Sequence, residues 1–296
     1  MKLSLCIPTN GVIEWVFPCL DSIYNQGIDE NKFEVIVTDN GNTTTFALLM
    51  EEYTQKHTNI IYSKTNAYMF ENQLEALKLA TGDYYKFVNH RSLFWEGRLE
   101  EMITFLEKNE KEKPVIFFAN GAMGWGPICE SVDTFDNFVR KLGVFATWTS
   151  GVGIWSEDYK KLPKNFSFDK ISPHSSILFS ERNKNKYIIN DRYWFKEIPS
   201  DHSKKGKYDL FKAFSLDEFI IIINLYRDGD ISVETLKCVK NSFSDFLESL
   251  YCDFVLRKIP CSYDLSGFDK YTDIFFEKEK IKLGGQRKYI ERYEKN

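Results

Sequence analysis

The chain has no excess of positive charge: its 296 residues carry a formal net charge of −4. Phosphate binding draws on a basic surface, so a general nucleic-acid binder is excluded, although local basic patches stay open. CxxC pairs are missing among the six cysteines (Cys6, Cys19, Cys129, Cys238, Cys252 and Cys261). Their spacing therefore signals no redox pair or disulfide framework, Cys6 in its apolar run reads as a buried thiol, and a reducing cytoplasm is the expected location. Long apolar runs are absent too. The longest, such as Phe219 to Ile223, fall far short of the roughly 20 residues that span a bilayer, and MKLSLCIPTN has too short an apolar stretch for a signal peptide. Internal repeats and low-complexity segments are also lacking.

What is present suits a large core, with 43% hydrophobic and 16% aromatic residues. Such a chain is one large domain, or a catalytic domain with an appendage. Short apolar runs at 2–7, 33–38, 59–63, 83–88 and 114–119 read as strands, and the spacing at 14–25, 44–56, 69–80 and 97–108 reads as helices. Their alternation predicts an α/β fold with a largely parallel sheet. Ligands of open α/β sheets sit beyond the carboxyl ends of the strands, so residues 8–10, 39–42 and 89–91 should surround one crevice.

From Tyr208 onward the pattern turns helical, dividing the chain into residues 1–207 and 208–296. Ser215 with Glu218 reads as a capping box, and Leu236, Val239, Phe243, Phe246, Leu250 and Phe254 form a stripe. That stripe packs onto the main domain or serves as a homodimer face. The highly charged tail, 277–296, reads as a solvated helix or a frayed end.

SLCIPTN (4–10), VTDNGNTT (37–44) and NQLEALKLATGDYYKFV (72–88), in this order and spacing, resemble the family 2 glycosyltransferases of the GT-A fold, particularly the bacterial surface-polysaccharide, abequosyltransferase-like branch. TSGVGIWSEDY (149–159) is a weaker echo. The resemblance implies a GT-A type, Rossmann-like, mostly parallel sheet flanked by helices, with a helical C-terminal region. It also implies an inverting transfer of a sugar from a nucleoside-diphosphate donor to a saccharide or lipid-linked saccharide acceptor, in the cytoplasm or at the inner face of the cytoplasmic membrane, while charge and run lengths already speak against nucleic acid and a transmembrane segment. Carried over by position, Pro8, Thr9, Asn10, Asp39, Asn66 and Asn72 line the donor pocket. Each also has a plainer reading: Asp39 as a turn residue, and Asn66 and Asn72 as capping amides. Gly82 and Asp83 end a helix and start a strand.

The departure from the family comes at Asn89, His90 and Arg91. Members normally place a pair of aspartates there to hold a divalent metal. Neither an amide nor a guanidinium replaces carboxylate oxygens, so no metal or other cofactor is expected. Arg91, permanently charged and planar, can instead grip phosphate oxygens at two points, with His90 as a second donor and Asn89 beside them. The other reading is a decayed site.

Family members usually supply an acid from the second half of the domain to deprotonate the acceptor. Asp169 is the leading candidate, His174 the second, Asp191 a third; a flanking acid and a surface imidazole are the plain readings of the first two. Among the tryptophans after the pocket segments (Trp95, Trp125, Trp148, Trp155), Trp95 and Trp155 are the candidate platforms for an acceptor sugar. The basic loop 201–207 reads as an exposed loop or as a lid. The competing class is a non-catalytic protein that binds a nucleotide sugar or scaffolds a partner enzyme. A sugar-nucleotide pyrophosphorylase is disfavoured because the N-terminus lacks a glycine-rich, basic phosphate loop.

Overall fold

The computed structural model describes residues 1–199 and 201–293. They divide into two compact units, Met1–Phe138 with Phe145–Ile198, and Val139–Val144 with Pro199–Asn296. Ten strands lie among the described residues: β1 Leu3–Thr9, β2 Phe33–Asp39, β3 Ile60–Lys64, β4 Tyr84–Phe87, β5 Ser92–Phe94, β6 Val115–Phe118, β7 Cys129–Val132, β8 Gly153–Trp155, β9 Tyr187–Asn190 and β10 Phe195–Glu197.

The main sheet of the first unit has the order β3-β2-β1-β4-β8. β1 runs parallel to β2 and β4, and β2 to β3. The central β1 and β2 are almost entirely buried, their polar residues included, as befits the inner strands of a parallel sheet. Their carboxyl ends therefore lie on one edge.

The expected mostly parallel α/β sheet is what forms, with one change of partner. The run at 114–119 does become a strand, β6, but it lies in a separate sheet of order β6-β9-β7. The place beside β4 goes to β8, which runs antiparallel to it. Local apolarity marks a strand; it does not name the neighbour.

A buried carboxylate ties the opposite edge. Glu34 accepts from Ser4 Oγ at 2.7 Å and Gly82 N at 3.2 Å and pairs with Lys2 Nζ at 2.8 Å, while Asp83 accepts from Lys2 N at 2.7 Å. Burial alone would raise the Glu34 pKa, but these bonds and those from Thr81 bring it down to about 2. Gly82 and Asp83 thus serve the strand junction, as expected.

In the second unit a helix starts at Leu210, where Asp209 accepts from Lys212 N at 2.8 Å, and continues through a π-turn at Ala213–Asp217 into Glu218–Arg227. Ser215 and Glu218 are therefore interior to a helix and cannot form the expected capping box, whose N–H groups are already used. The true Ser cap is Ser232, which accepts from Thr235 N at 3.2 Å and opens the helix Val233–Leu250. Its apolar stripe is covered within the unit, Phe243 by Phe219 and Phe246 by Phe214. Two of the stripe's rings are thus packed within the unit, which favours the packing reading of the stripe.

The tail forms the helix Lys278–Tyr293, docked through Gly284 and Gly285, where an added Cβ would meet Glu248 at 2.1 Å and Tyr251 at 2.7 Å. Residues 294–296 lie outside the described residues. The loop read as a lid is tied down instead, because Ser262 Oγ donates to the carbonyls of His202 at 3.1 Å and Lys205 at 2.5 Å. Among the described residues no helix is long and apolar enough to cross a membrane.

Candidate active site

The ends of β1, β2 and β4 meet through named hydrogen bonds. Thr9, the last residue of β1, lies 2.7 Å through Oγ1 from His90 Nδ1 and accepts from Gly11 N at 3.0 Å. Its carbonyl accepts from Asn40 N at 3.1 Å and from Asn72 Nδ2 at 3.2 Å. Gly41 allows the loops after β1 and β2 to touch, since a Cβ there would fall 2.0 Å from Asn10 O. Pro8, half-buried, and Asn10, exposed, stand at this edge. Exposed Asn66 sits on a loop that Asn40 Nδ2 holds through the carbonyls of Ala67 and Met69, both at 3.0 Å. Residues 8–10, 39–42 and 89–91 are thus brought together as the strand-end rule requires.

Two of the expected donor contacts carry internal work. Asn72 spends both amide hydrogens on backbone, on Thr9 O and on Thr38 O at 2.7 Å, and accepts from Thr65 Oγ1 at 2.8 Å. It is a buried strut across three strand ends, which corrects its assignment to the crevice lining. Asp39 has 0% exposure; its Oδ1 accepts from Gly41 N at 2.7 Å, and its Oδ2 from Tyr62 OH at 3.1 Å and Lys64 Nζ at 2.8 Å. The turn bond read from the sequence is present. Lys64 went unnoticed, although it ends β3 directly opposite Asp39 in the parallel register.

The loop after β4 carries the cation. Asn89 Oδ1 accepts from Arg91 N at 3.1 Å, and Asn89 N donates to Ser150 Oγ at 2.9 Å. The His90 ring meets Trp15 edge-on at 5.0 Å between centroids. The Arg91 guanidinium lies 5.8 Å over the same Trp15 ring, donates through Nη1 to Ile198 O at 2.9 Å, and stands 3.8 Å through Nη2 from Glu197 Oε2. Beneath the loop, fully buried Lys86 donates to the carbonyls of Phe87, at 2.8 Å, and Ser150. Burial lowers its pKa to about 7. Neither Trp15 nor Glu197 had a local signal, because both come to Arg91 from distant parts of the chain.

These groups do not fit a divalent metal. Asn89 Oδ1 and His90 Nδ1 are engaged, the guanidinium has no lone pair to give, and no cluster of three His, Cys, Asp or Glu side chains able to hold an ion exists among the described residues.

Of the candidate bases, Asp169 is half-buried and uses one oxygen: Oδ1 accepts from Ile171 N and Ser172 N, both at 2.8 Å, before the helix Pro173–Leu178. Oδ2 takes no hydrogen bond among the described residues. His174 is not the surface imidazole the sequence suggested. It is 4% exposed, with Nε2 at 2.8 Å from Thr147 O and Nδ1 at 3.2 Å from Gln73 Oε1. A carbonyl only accepts, so Nε2 carries the proton. Burial lowers the His174 pKa to about 4, against the raising effects of the Thr147 carbonyl and Asp169. A ring so deeply buried, with its Nε2 proton held by the Thr147 carbonyl, is unsuited to take a proton at neutral pH, which counts against it as the base. Asp191 is fully buried and accepts from Met123 N at 3.1 Å and Trp125 N at 2.9 Å, so it fastens a loop.

The buried histidine has a measurable consequence. The folded state takes up this proton only near pH 4, the unfolded state already near 6.5, so stability present above pH 6.5 is lost as the pH falls from 6.5 to 4. The loss is expected to approach about 3 kcal/mol. Urea unfolding of wild type and His174→Gln across this window should show the gap between them narrowing as pH falls; a constant gap contradicts it.

Trp95 is 47% exposed, whereas Trp155 is 1% exposed in β8 and donates through Nε1 to Pro114 O at 2.9 Å. Trp155 is core, not an acceptor platform, because it faces inward from a paired strand. Trp125 and Trp148 are half-buried. Exposed Tyr193, missed in the sequence, lies over Gly121 beside Trp194, whose carbonyl accepts from Trp95 N at 3.1 Å.

Residues 4–150 match the model of Glycosyl transferase family 2. Over 127 residues the chain is 28% identical to the minor teichoic acid biosynthesis protein GgaB of Bacillus subtilis, covering 41% of this chain and 14% of that protein. Over 115 residues it is 24% identical to the poly(ribitol-phosphate) beta-glucosyltransferase of Bacillus spizizenii, covering 38% and 18%. The matches thus span less than a fifth of either relative's own length. In fold, the chain is similar to S. aureus TarS 1-349 in complex with UDP-GlcNAc, with a TM-score of 0.58, 15% identity and coverage of 98% of this chain and 89% of that one. It is also similar to the mannosyltransferase PcManGT from Pyrobaculum calidifontis in complex with GDP-Man and Mn2+, with a TM-score of 0.52, 13% identity and coverage of 99% and 88%. Residues 4–150, therefore, are a Glycosyl transferase family 2 domain, and the chain is built on the GT-A fold.

Proposed function

We propose that this protein transfers a sugar, with inversion and without a divalent metal, from a nucleoside diphosphate to a saccharide or lipid-linked saccharide acceptor in bacterial surface-glycan assembly, on the cytoplasmic side of the membrane. The relatives named for teichoic acid synthesis and for poly(ribitol-phosphate) glucosylation support the class of pathway. The observation that carries the mechanism is the Arg91 guanidinium, held at the end of β4 where the family's acidic pair is expected.

In this mechanism the nucleoside lies against the loops after β1 and β2, and the diphosphate faces Arg91. The acceptor oxygen attacks the anomeric carbon from the opposite side, its proton passes to Asp169 Oδ2, and the bond to the diphosphate breaks with its electron pair leaving on the phosphate oxygen. Arg91 meets the charge that develops there. Trp95 and Tyr193 offer exposed faces on which acceptor sugars pack.

Chelation tests the metal-free part. Nucleoside diphosphates should raise the melting temperature equally with and without EDTA, since a ligand bound only by the folded state stabilises it regardless of chelator. Slow release of free nucleoside diphosphate from the sugar donor should likewise survive EDTA. Loss of turnover on chelation, restored by manganese, overturns metal independence; binding without turnover on any donor or acceptor leaves a non-catalytic nucleotide-sugar-binding protein.

A further inference from the structure

We infer that Glu197 is a positioning residue for Arg91 that also competes with the donor diphosphate for its charge; this rests on the transferase reading above. β10 pairs antiparallel with β5, and the register sets Glu197 opposite Ser92, the residue after Arg91. Ser92 Oγ donates to Glu197 Oε1. The other oxygen, Oε2, is closed off from solvent, takes no hydrogen bond among the described residues, and lies 3.8 Å from Arg91 Nη2. That separation is too long for a hydrogen bond, so the two groups interact as charges. Buried acceptors are rarely left without a donor, and this one borders the cation assigned to the leaving group.

Around Arg91 the restraints come from three directions: the Ile198 carbonyl at Nη1, the Trp15 ring beneath, and the Glu197 carboxylate beside Nη2. A guanidinium has five N–H donors, and apart from the bond to Ile198 no other side-chain bond of Arg91 exists among the described residues. The plane is oriented while most donors remain for phosphate oxygens. The carboxylate's negative charge meanwhile offsets part of the pull of Arg91 on an arriving diphosphate. Glu197 is not the general base: inversion requires attack from the side opposite the diphosphate, and a carboxylate within 4 Å of the diphosphate's cation is on the leaving-group side.

Glu197→Gln keeps the size and a hydrogen-bond acceptor for Ser92 but removes the charge. Nucleoside diphosphate should then bind about two- to fivefold tighter by calorimetry, the scale of a single partly exposed charge pair. Turnover should fall, since Arg91 is less well oriented, so KM and kcat drop together. In an Arg91→Ala background the effect on affinity should vanish. Equal or weaker binding by Glu197→Gln, or the same change with and without Arg91, overturns the proposal. A double-mutant cycle of Arg91→Ala and Glu197→Gln on urea unfolding, without nucleotide, reads the contact itself. If wild type binds no nucleoside diphosphate, the transferase reading fails, and zero coupling in this cycle then also removes Glu197 as the residue that holds Arg91.

Discussion

Arg91→Ala is expected to lower turnover by about a hundredfold to a thousandfold while weakening donor affinity far less. A unit charge about 4 Å from the leaving group is worth roughly 4 kcal/mol at an effective dielectric of 20, which sets the upper end of that range. The neighbouring Glu197 carboxylate, 3.8 Å from Nη2, offsets part of it and sets the lower end. The charge on the diphosphate grows as the bond to the sugar breaks, so the guanidinium acts more strongly on the transition state than on the bound donor. Arg91→Lys should fall between wild type and alanine. An ammonium restores the charge but cannot lie flat over Trp15, reach Ile198 O and still grip phosphate at two points. Steady-state kinetics beside calorimetric donor affinity check this; equal turnover in wild type and Arg91→Ala removes Arg91 from the mechanism.

Asp169→Asn is expected to cut turnover by about a hundredfold or more, the usual contribution of a general base, with donor binding intact. The substitution isolates one oxygen. Oδ1 holds Ile171 N and Ser172 N before the helix Pro173–Leu178, and an asparagine carbonyl can keep both bonds. Oδ2, which carries the proposed proton transfer, becomes an amide with no basic lone pair. Near-normal turnover in Asp169→Asn, with its unfolding midpoint unchanged, would confine Asp169 to capping. His174 is then no substitute, since its Nε2 proton is held by the Thr147 carbonyl and burial holds its pKa near 4.

Much of the framework could be read without the structure, for a local reason. β1 to β4 are apolar runs set between helices whose apolar residues recur at helical spacing, so element type and parallel direction follow from neighbours along the chain. With parallel strands the carboxyl ends share an edge, which suffices to bring Thr9, Asp39 and Arg91 together. Partners were harder. β6 shows the same apolarity as β4, yet joins β9, and β8 takes its place in the reverse direction.

Individual roles were harder still, because the chemistry of a side chain depends on what touches it. Asn72 and Asn66 are the same amide; one is spent on the carbonyls of Thr9 and Thr38, and the other stays exposed at the rim. Trp95 and Trp155 are the same indole, one half in solvent and the other closed within the core. His174 looked like a surface imidazole until the carbonyl of Thr147 and the amide of Gln73 enclosed it.

By itself, then, the sequence determined the alternation of the first four strands of the main sheet with helices and the shared edge of the parallel strands, which are local properties of composition and spacing, while the departure at residues 89–91 was visible only beside the family the chain resembles. Only the tertiary structure decided what Arg91 became. Trp15 from the first helix, Glu197 at the end of the last strand of the unit and Ile198 just after it reach it through packing and strand register, and they turn a replaced residue into an oriented cation.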